Sequence, residues 1–253
     1  MFLWRGRWML VGRLEANRTH RHVAASLLLG LERPIRLEVR GQWRETLAAL
    51  VAPEVPQALD PRGSPVLVAH LDPDTADWQR LAPRLEGADS VDLSLPEGLR
   101  ERALALTKSR ECPEADALLE TLCACGDPSR ASLDPRVART AGRLREAPPE
   151  RLDVAALARE VELSASRLTH LFRAETGVTL RRFLVHLKIQ RALLHWRPGM
   201  PLATLAAEAG FHDQPHLVRT AREMFDALPS HYTAGGRYRL IQCRGQAPPD
   251  AHP

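Results

Sequence analysis

The segment 209–220, AGFHDQPHLVRT, carries side chains that suit either of two kinds of site. His212 and His216 are four residues apart, which is the spacing of a histidine pair that binds a metal from one face of a helix. Gln214, His216 and Arg219 could instead project from the start of a helix that contacts DNA bases. The position at which the helix begins decides between these two interpretations.

Asp213 is a residue type that caps helix N-termini, and Pro215 is favoured in a first turn, where its missing N–H costs little. With Asp213 as the cap, His212 lies outside the helix and His216 lies in its first turn. The two imidazoles then do not share a face. The spacing therefore favours a helix that contacts DNA over a metal site.

This segment belongs to an internal repeat. LAREVELSASRLTHLFR (157–173) resembles LAAEAGFHDQPHLVRTAR (205–222), with one extra residue in the second copy. Each copy is predicted to form a short helix, a tight turn and a second helix, the layout of a helix-turn-helix. A long helix over 179–196 joins the two copies. The predicted turn and core residues are Ala158, Leu168, Phe172, Gly177, Ala206, Gly210, Phe211 and Leu217.

The polar faces of the two second helices are the predicted DNA-binding residues. On the first helix they follow the spacing i, i+3, i+4 and i+7 of one helical face. Gln can pair with adenine, and Arg can pair with guanine, in the major groove. The eight residues are Ser166, Thr169, His170, Arg173, Gln214, His216, Arg219 and Arg222, and Arg219 is the strongest candidate for a base contact.

Residues 150–232 resemble the C-terminal DNA-binding domain of the AraC/XylS family of bacterial transcription regulators. The stretches that carry the resemblance are LARE…LSASRLTHLFRAETGVTLRRFL…LKIQRALL and LATLAAEAGFHDQPHLVRTAREMF…LPSHY. The resemblance implies two helix-turn-helix units fixed by a linking helix. Their second helices are expected to enter adjacent segments of the major groove.

The N-terminal part has short apolar runs separated by Gly and Pro, which predict closely spaced strands. THRHVAASLLLGL (19–31), the strand around Trp43 and LVAPEVPQAL (50–59) resemble the small cupin-like sensor that precedes such DNA-binding domains. The predicted fold has two domains: a small all-β cupin-like barrel with a helical connector, then an all-α double helix-turn-helix. The predicted boundaries are 1–76 for the sensor, 77–134 for the connector and dimerisation region, 135–239 for the DNA-binding domain and 240–253 for a disordered tail.

The effector pocket is predicted at His20, His22, Trp43 and Gln57. A cupin metal site combines His-x-His with a Glu and a third His from a later strand. No Glu follows His22 at a useful spacing, and Gln57 stands where the last His is expected. Two imidazoles make a poor site for zinc or iron, so we expect no metal and no cofactor, but a cavity for an organic effector.

Four cysteines leave a thiol or metal sensor open as an alternative: Cys112, Cys123, Cys125 and Cys243. Cys123 and Cys125 lack the C-x-x-C spacing, and free thiols are the default expectation. The stripe of Leu118, Leu119 and Leu122 in the preceding helical pattern is the predicted dimerisation surface.

The charge distribution agrees with a nucleic-acid partner. Lys and Arg outnumber Asp and Glu by 17 to 11 in residues 134–239, whereas acidic residues predominate by 20 to 18 in the remainder. The N-terminus, MFLWRGRWMLVGRL, is interrupted by arginines and does not resemble a signal peptide, and no run is long enough to span a bilayer. A cytoplasmic location is therefore expected, without a membrane partner.

No catalytic triad, phosphate-binding glycine loop or carboxylate pair can be recognised, and the chain is not expected to be an enzyme. The sequence predicts a ligand-responsive, sequence-specific DNA-binding transcription regulator. Its expected partners are double-stranded operator DNA, a small-molecule effector, a second copy of the chain and RNA polymerase. A thiol- or metal-sensing regulator, and a cupin-type enzyme fused to a DNA-binding domain, are the alternatives.

Overall fold

The computed structural model describes residues 1–109, 111–124, 126–127, 132–197, 199–226 and 240–243. A β-rich N-terminal part precedes a helical C-terminal part, as predicted. No helix in these ranges is long and apolar enough to cross a membrane.

The N-terminal strands form two sheets. The first has the order β10-β7-β4-β9-β2-β1-β11, and the second has the order β3-β8-β5-β6. Their bounds are β1 Phe2–Trp4, β2 Arg7–Arg13, β3 His20–Arg21, β4 Ala25–Gly30, β5 Ile35–Val39, β6 Gln42–Thr46, β7 Ala48–Val51, β8 Pro56–Asp60, β9 Pro65–Leu71, β10 Ser90–Asp92 and β11 Ile241–Gln242.

The central strands β4 and β9 are buried along their whole length. Successive side chains of a strand point to opposite faces of the sheet, so each strand contributes to two cores. Leu27 and Leu67 pack in a core with the connector helices, whereas Leu28 and Val68 pack in a second core that includes the second sheet. Apolar coverage on both faces explains why these strands read as continuous hydrophobic runs.

The connector contains three helices, α1 (Ala76–Leu81), α2 (Leu99–Ser109) and α3 (Cys112–Cys123), and a 3-10 turn over Ala82–Leu85. It also contributes β10, which pairs antiparallel with β7, so this region is not purely helical. The predicted dimerisation stripe is wrong. Leu118, Leu119 and Leu122 are at most 2% exposed because they pack inside the chain against the first sheet.

The C-terminal part contains six helices among the described residues: α4 (Pro135–Glu146), α5 (Val154–Glu160), α6 (Ala165–Thr176), α7 (Leu180–His195), α8 (Leu202–Glu208) and α9 (Gln214–Phe225). The helices α5–α6 and α8–α9 form the two predicted repeat units. The helix α7 joins them and buries ten of its residues, among them Phe183 and Leu187.

The end of the chain returns to the N-terminal sheet. β11 pairs parallel with β1, and the Cys243 N–H donates to the Leu3 carbonyl at 2.8 Å. A disulfide joins Cys112 to Cys243. The strand pairing shows that residues 240–243 are ordered, so the prediction of a disordered tail from residue 240 is wrong there. The disulfide corrects the expectation of free thiols at Cys112 and Cys243. Residues 227–239 and 244–253 lie outside the described part, as does Cys125.

Candidate nucleic-acid interface and sensor cavity

The two helix-turn-helix units have equivalent turns. In the first, the Leu163 N–H donates to the Ala158 carbonyl, and in the second the Phe211 N–H donates to the Ala206 carbonyl, both at 2.9 Å. Both alanines are buried, as expected where two helices approach closely. The repeat therefore extends from the sequence to the backbone hydrogen bonds of the turns.

In each turn, the residue directly before the N–H donor has a left-handed backbone conformation. Glu162 has φ 56° in the first unit, and Gly210 has φ 79° in the second. Glycine adopts this conformation without the steric cost that a side chain adds. The second unit thus has the favourable residue at this position, and the first unit has a strained one.

The helix α6 exposes the predicted polar face. Ser164 caps it by accepting from the Arg167 N–H at 3.2 Å, and Gly177 ends it in the left-handed conformation. The exposed residues are Ser166, Thr169, His170 and Arg173. On the opposite face Leu168 and Phe172 are fully buried, and the Phe172 ring lies 5.3 Å from that of Phe183.

The helix α9 begins as predicted. Asp213 caps it by accepting from the His216 N–H at 2.7 Å, and His212 lies outside it beside the Asp213 carboxylate. Hydrogen bonds from His212 and from the His216 backbone lower the pKa of Asp213, which keeps the cap charged.

The polar face of α9 is exposed at Gln214, Arg219 and Arg222, whereas His216 is half-buried. The His216 ring packs edge-on against Phe211 at 5.1 Å. Burial lowers the pKa of His216, so its imidazole is neutral near pH 7. His216 therefore supports the turn as well as bordering the exposed face, and Leu217 is buried beneath it.

The C-terminal end of α9 rests on the β-rich N-terminal part, which is the predicted sensor. The Arg18 N–H donates to the Asp226 carboxylate at 2.8 Å, and the Arg18 guanidinium binds the same carboxylate at 2.7 Å. Phe225 is buried against His22, with ring centroids 5.2 Å apart, and against Trp8 at 6.0 Å. This contact was not predicted, because the residues involved are about 200 positions apart in sequence.

A buried ionic network forms the second contact between the two parts. Asp72, directly after β9, is fully buried and accepts from Arg145 of α4 at 2.8 Å. It also accepts from His186 at 2.7 Å and from Gln190 at 2.9 Å, both on α7. Asp74 binds the same Arg145 guanidinium. The network therefore fixes α4 and α7 against the end of β9.

The charges in this network determine its protonation. Burial alone would raise the pKa of Asp72, but its interactions with His186 and Arg145 outweigh this effect and hold the pKa far below its usual range. Burial would lower the pKa of Arg145, but Asp72 and Asp74 raise it instead. The pair of Asp72 and Arg145 is therefore charged at neutral pH.

The sensor contains a small cavity of about 40 Å³ between the two sheets and the end of α9. Three of the four predicted pocket residues, His20, His22 and Gln57, line it. Trp43 does not, because it projects from β6 with 46% of its surface exposed and stacks under the Arg36 guanidinium at 5.1 Å. The full lining is Trp8, Leu10, Leu14, Asn17, His20, His22, Leu28, Gln57, Ala58, Leu59, Val68, His70 and Phe225.

The structure adds a third histidine to the predicted pair. His70 of β9 lies 3.9 Å from His22 between ring centroids and stacks on Trp8 at 4.3 Å. Among the described residues, no group of His, Cys, Asp and Glu has an arrangement that could hold a metal ion. The strand periodicity places His70 on the same face as Val68 and Val66, which is the signal that could have located it.

Hydrogen bonds fix the tautomers of the predicted pair. The Arg18 carbonyl can only accept, so Nδ1 of His20 donates to it at 2.7 Å. The Nε2 of His20 is then an acceptor, and Nε2 of His22 donates to it at 2.7 Å. Both rings are neutral in this arrangement.

Burial favours the neutral form of all three rings. It is the main cause that lowers the pKa of His20, His22 and His70. The neighbouring imidazoles lower the pKa of His22 and His70 further, because a second positive charge nearby would repel the first. The cavity is therefore lined by neutral polar groups at physiological pH.

Comparison with known proteins agrees with the helical repeat. Residues 157–235 match the family described as "Helix-turn-helix domain". The arabinose operon regulatory proteins of Salmonella typhimurium strain LT2 and Escherichia coli strain K12 are each 38% identical over 84 residues. That segment is 33% of this chain, and 30% and 29% of the two relatives, so the match spans less than a third of their length.

The whole fold is similar to that of ToxT from Vibrio cholerae. An apo structure of a ToxT variant superposes with a TM-score of 0.65 at 11% identity, over 90% of this chain and 96% of that one. A structure of ToxT with an unsaturated fatty acid bound superposes with a TM-score of 0.58 at 11% identity, over 89% and 94%. Similarity at this level of identity concerns the fold.

Proposed function

We propose that this chain, whose residues 157–235 match a helix-turn-helix domain family, is a ligand-responsive and sequence-specific transcription regulator of the AraC/XylS family. The observation that supports this most directly is the pair of equivalent helix-turn-helix units. Each has an exposed polar second helix, and α7 fixes their separation. Two such helices on one rigid frame suit adjacent segments of a major groove.

The residues proposed to contact DNA are the exposed faces of α6 and α9. Arg219 and Gln214 have the side chains that pair with guanine and adenine edges, respectively. Thr169 and Arg173 are suited to phosphates as well as to bases. Arg222 lines a cleft together with His20, so its contact with DNA is proposed to depend on how α9 is docked.

The effector is proposed to be a small organic molecule in the histidine-lined cavity. Phe225 of α9 forms part of the cavity wall, so occupancy of the cavity can influence the position of a DNA-binding helix. A ligand acts on such an equilibrium through its different affinity for the two arrangements. The ToxT structure with a bound fatty acid supports ligand binding by a protein of this fold.

Three further parts of the proposal concern the cell. The chain is proposed to act in the cytoplasm, as a homodimer on two half-sites, and with RNA polymerase as a partner. The buried leucine stripe of α3 does not supply the dimer surface. The chain is proposed to be a regulator without catalytic activity, in keeping with its helix-turn-helix relatives.

The test is selection of genomic DNA fragments by the purified chain, followed by affinity measurement on the selected site. Arg219→Ala is expected to weaken binding by about 1–3 kcal/mol and to relax the preference at one base pair. Arg5→Ala, which removes an exposed arginine from the turn between β1 and β2, is the matched control and should leave the affinity unchanged. Equal affinity for selected and random DNA would overturn the proposal.

A thiol-responsive regulator is the second candidate, and the Cys112–Cys243 disulfide favours it. In this alternative a dithiol reductant is oxidised to its own disulfide while the protein disulfide becomes two thiols, which releases β11 from α3. The expected result is a change in DNA affinity on reduction that is reproduced by Cys243→Ser without reductant. An affinity that is the same in both redox states would exclude this candidate.

A further inference from the structure

The second helices of the two units can be compared position by position. Ser164 caps α6 and Asp213 caps α9, and in each helix a fully buried leucine follows four residues after the cap. The residue six positions after the cap is His170 in α6 and Arg219 in α9, and both are exposed. Equivalent positions of the repeat therefore present an imidazole in one unit and a guanidinium in the other.

The imidazole of His170 is held by its own helix. Its Nδ1 lies 2.8 Å from the carbonyl oxygen of Ser166, one turn earlier, and 3.5 Å from the hydroxyl of the same residue. A carbonyl oxygen can only accept a hydrogen bond, so the proton of the neutral ring is on Nδ1. Nε2 is therefore an acceptor, and it is the ring nitrogen that is left to bind a base.

Arg219 has the opposite hydrogen-bonding character. A guanidinium carries five N–H donors and no acceptor. Pro215 stands in α9 where Ser166 stands in α6, so the side chain one turn before Arg219 has no hydroxyl. At the same place in the repeat, the first unit thus offers an acceptor and the second unit offers donors.

The base edges in the major groove distinguish an acceptor from a donor. The donors there are the exocyclic amines, N4 of cytosine and N6 of adenine, whereas guanine has only the acceptors O6 and N7. An imidazole acceptor pairs with an amine and is repelled by O6 or N7. A guanidinium pairs with O6 and N7 of guanine and cannot pair with an amine.

We propose that the two units recognise opposite hydrogen-bonding groups at their equivalent positions. His170 accepts from the exocyclic amine of cytosine or adenine, and Arg219 donates to guanine. The inference rests on the proposed function and adds to it the chemical group that each unit recognises. If the units exchanged segments, Nε2 of His170 would meet acceptors and Arg219 would meet a donor. The DNA site therefore has two unlike segments, which fix the order of the units along it.

Selection of DNA from a random pool by the purified full chain supplies the site for the test. It is done at pH 8, at which imidazoles are in their neutral form. His170→Ala and Arg219→Ala are each expected to lose the preference at one base pair, by roughly fivefold or more. His195→Ala, which removes a half-exposed histidine at the end of α7, is the matched control and should select the same site as the wild type.

Changes of single groups in the DNA then identify what each residue contacts. Purine in place of adenine, or 2-pyrimidinone in place of cytosine, removes the exocyclic amine. At the base pair assigned to His170, this change should weaken wild-type binding roughly fivefold and leave His170→Ala at its already lowered affinity. The alanine variant thereby controls for altered base pairing and stacking.

The corresponding change at the other unit is 7-deazaguanine, which lacks the N7 acceptor. At the base pair assigned to Arg219, it should weaken wild-type binding and leave Arg219→Ala unchanged. His170→Arg replaces the acceptor by donors, so this variant should prefer guanine at the first pair and become sensitive to 7-deazaguanine there. The substituted positions are exposed, and circular dichroism verifies that each variant is folded.

Two outcomes would overturn the inference while leaving the proposed function intact. One is a selected site that His170→Ala leaves unchanged, or binds more weakly by the same factor on every sequence, as loss of a phosphate contact would give. The other is wild-type binding that depends on guanine N7, and not on an amine, at the pair assigned to His170. Equal affinity of the wild type for selected and random DNA would refute the proposed function and the inference together.

Discussion

The two helix-turn-helix units are built alike but have different neighbours. At the end of α6, the Glu175 carbonyl accepts a hydrogen bond from Gln79 of the connector at 3.5 Å, which is a marginal contact. At the end of α9, Phe225 enters the sensor cavity and Asp226 binds Arg18 with short hydrogen bonds. A change in the cavity therefore reaches the second unit directly, and it reaches the first unit through α7.

The helix α7 makes the two units depend on one another. It packs against both and is itself held by Asp72 through His186 and Gln190. The Asp72 network and the end of α9 are thus two contacts of different kinds between the N-terminal part and the DNA-binding part. The Asp72 network acts on the common frame, whereas Phe225 and Asp226 act on one unit. The following predictions test this division.

The largest effect is expected from Asp72→Asn, because it leaves the Arg145 guanidinium buried with one charged partner fewer. Removing one partner of a buried ion pair costs about 3–5 kcal/mol of unfolding free energy. Urea unfolding followed by circular dichroism measures this loss. Asp89→Asn, which breaks an exposed pair with Arg40, is the control and should have a much smaller effect. An Asp72→Asn variant as stable as the wild type would contradict a structural role for the network.

Smaller effects are expected at the equivalent turn positions of the two units, where one substitution should lower the free energy of unfolding and the other should raise it. Gly210→Ala puts a side chain at φ 79° and should cost about 1–2 kcal/mol. Glu162→Gly relieves the same strain at φ 56°, and its gain is partly offset by the greater freedom of glycine in the unfolded chain. Urea unfolding of both variants measures the pair. A loss of stability in Glu162→Gly as large as that in Gly210→Ala would show that Glu162 is not strained at its turn position.

Mild acid is expected to loosen the second unit before the first. Burial, to which Phe225 of α9 contributes, is the main cause that holds the pKa of His22 and of His70 well below the ordinary value of 6.5, so the docked arrangement favours their neutral forms. Above 6.5 the rings are neutral whether or not α9 is docked, and the stabilisation is complete. As the pH falls below about 6.5, the undocked state takes up protons first, and docking weakens progressively.

Hydrogen exchange at pH 7.5 and pH 5.5, compared at equal intrinsic exchange rate, measures this effect. Besides each other, the groups that act on the two rings are His20, His186 and Asp72, and Asp226 acts on His20. Both carboxylates stay charged over this range because their pKa values are lowered. Amides at the end of α9 should lose protection at pH 5.5, whereas those of α6 should not. A uniform loss in both helices would argue against a local histidine effect.

The smallest effect is expected from Arg18→Ala, because Arg18 is largely exposed and water can replace its contact with Asp226. Its backbone N–H also continues to donate to the same carboxylate. Hydrogen exchange should show a slight loss of protection confined to the last turn of α9. A large loss over the whole helix would mean that the ion pair, and not Phe225, holds the second unit on the sensor.

The features that the sequence predicted are local ones. The cap at Asp213 and the turn residues Gly177 and Gly210 depend on residues within one turn, so residue type and spacing suffice to place them. The apolar strands were also located, because burial on both faces leaves a continuous hydrophobic run. The polar faces of α6 and α9 followed from the same periodicity.

The features that the sequence did not predict depend on pairing between distant segments. A periodic stripe at Leu118 and Leu122 predicts burial, but it does not say whether the partner is another chain or the same one. His70, Phe225 and the Asp72 network come together only when β9, α7 and α9 meet. Four cysteines likewise allow several pairings, and the one between Cys112 and Cys243 spans 131 residues.

The pairing of β11 with β1 means that the DNA-binding part is attached to the sensor at two points, one before α4 and one after α9. The helices of the C-terminal part thus lie, along the chain, between two segments of one sheet. The disulfide between Cys112 and Cys243 closes this part of the chain into a covalent loop. When α9 leaves the sensor, it cannot diffuse away, so re-docking is an intramolecular event at high effective concentration. The release of α9 is therefore expected to be short in range and rapidly reversible. Two attachment points allow the DNA-binding part to rotate relative to the sensor, but they prevent the wide motion that a single linker would allow.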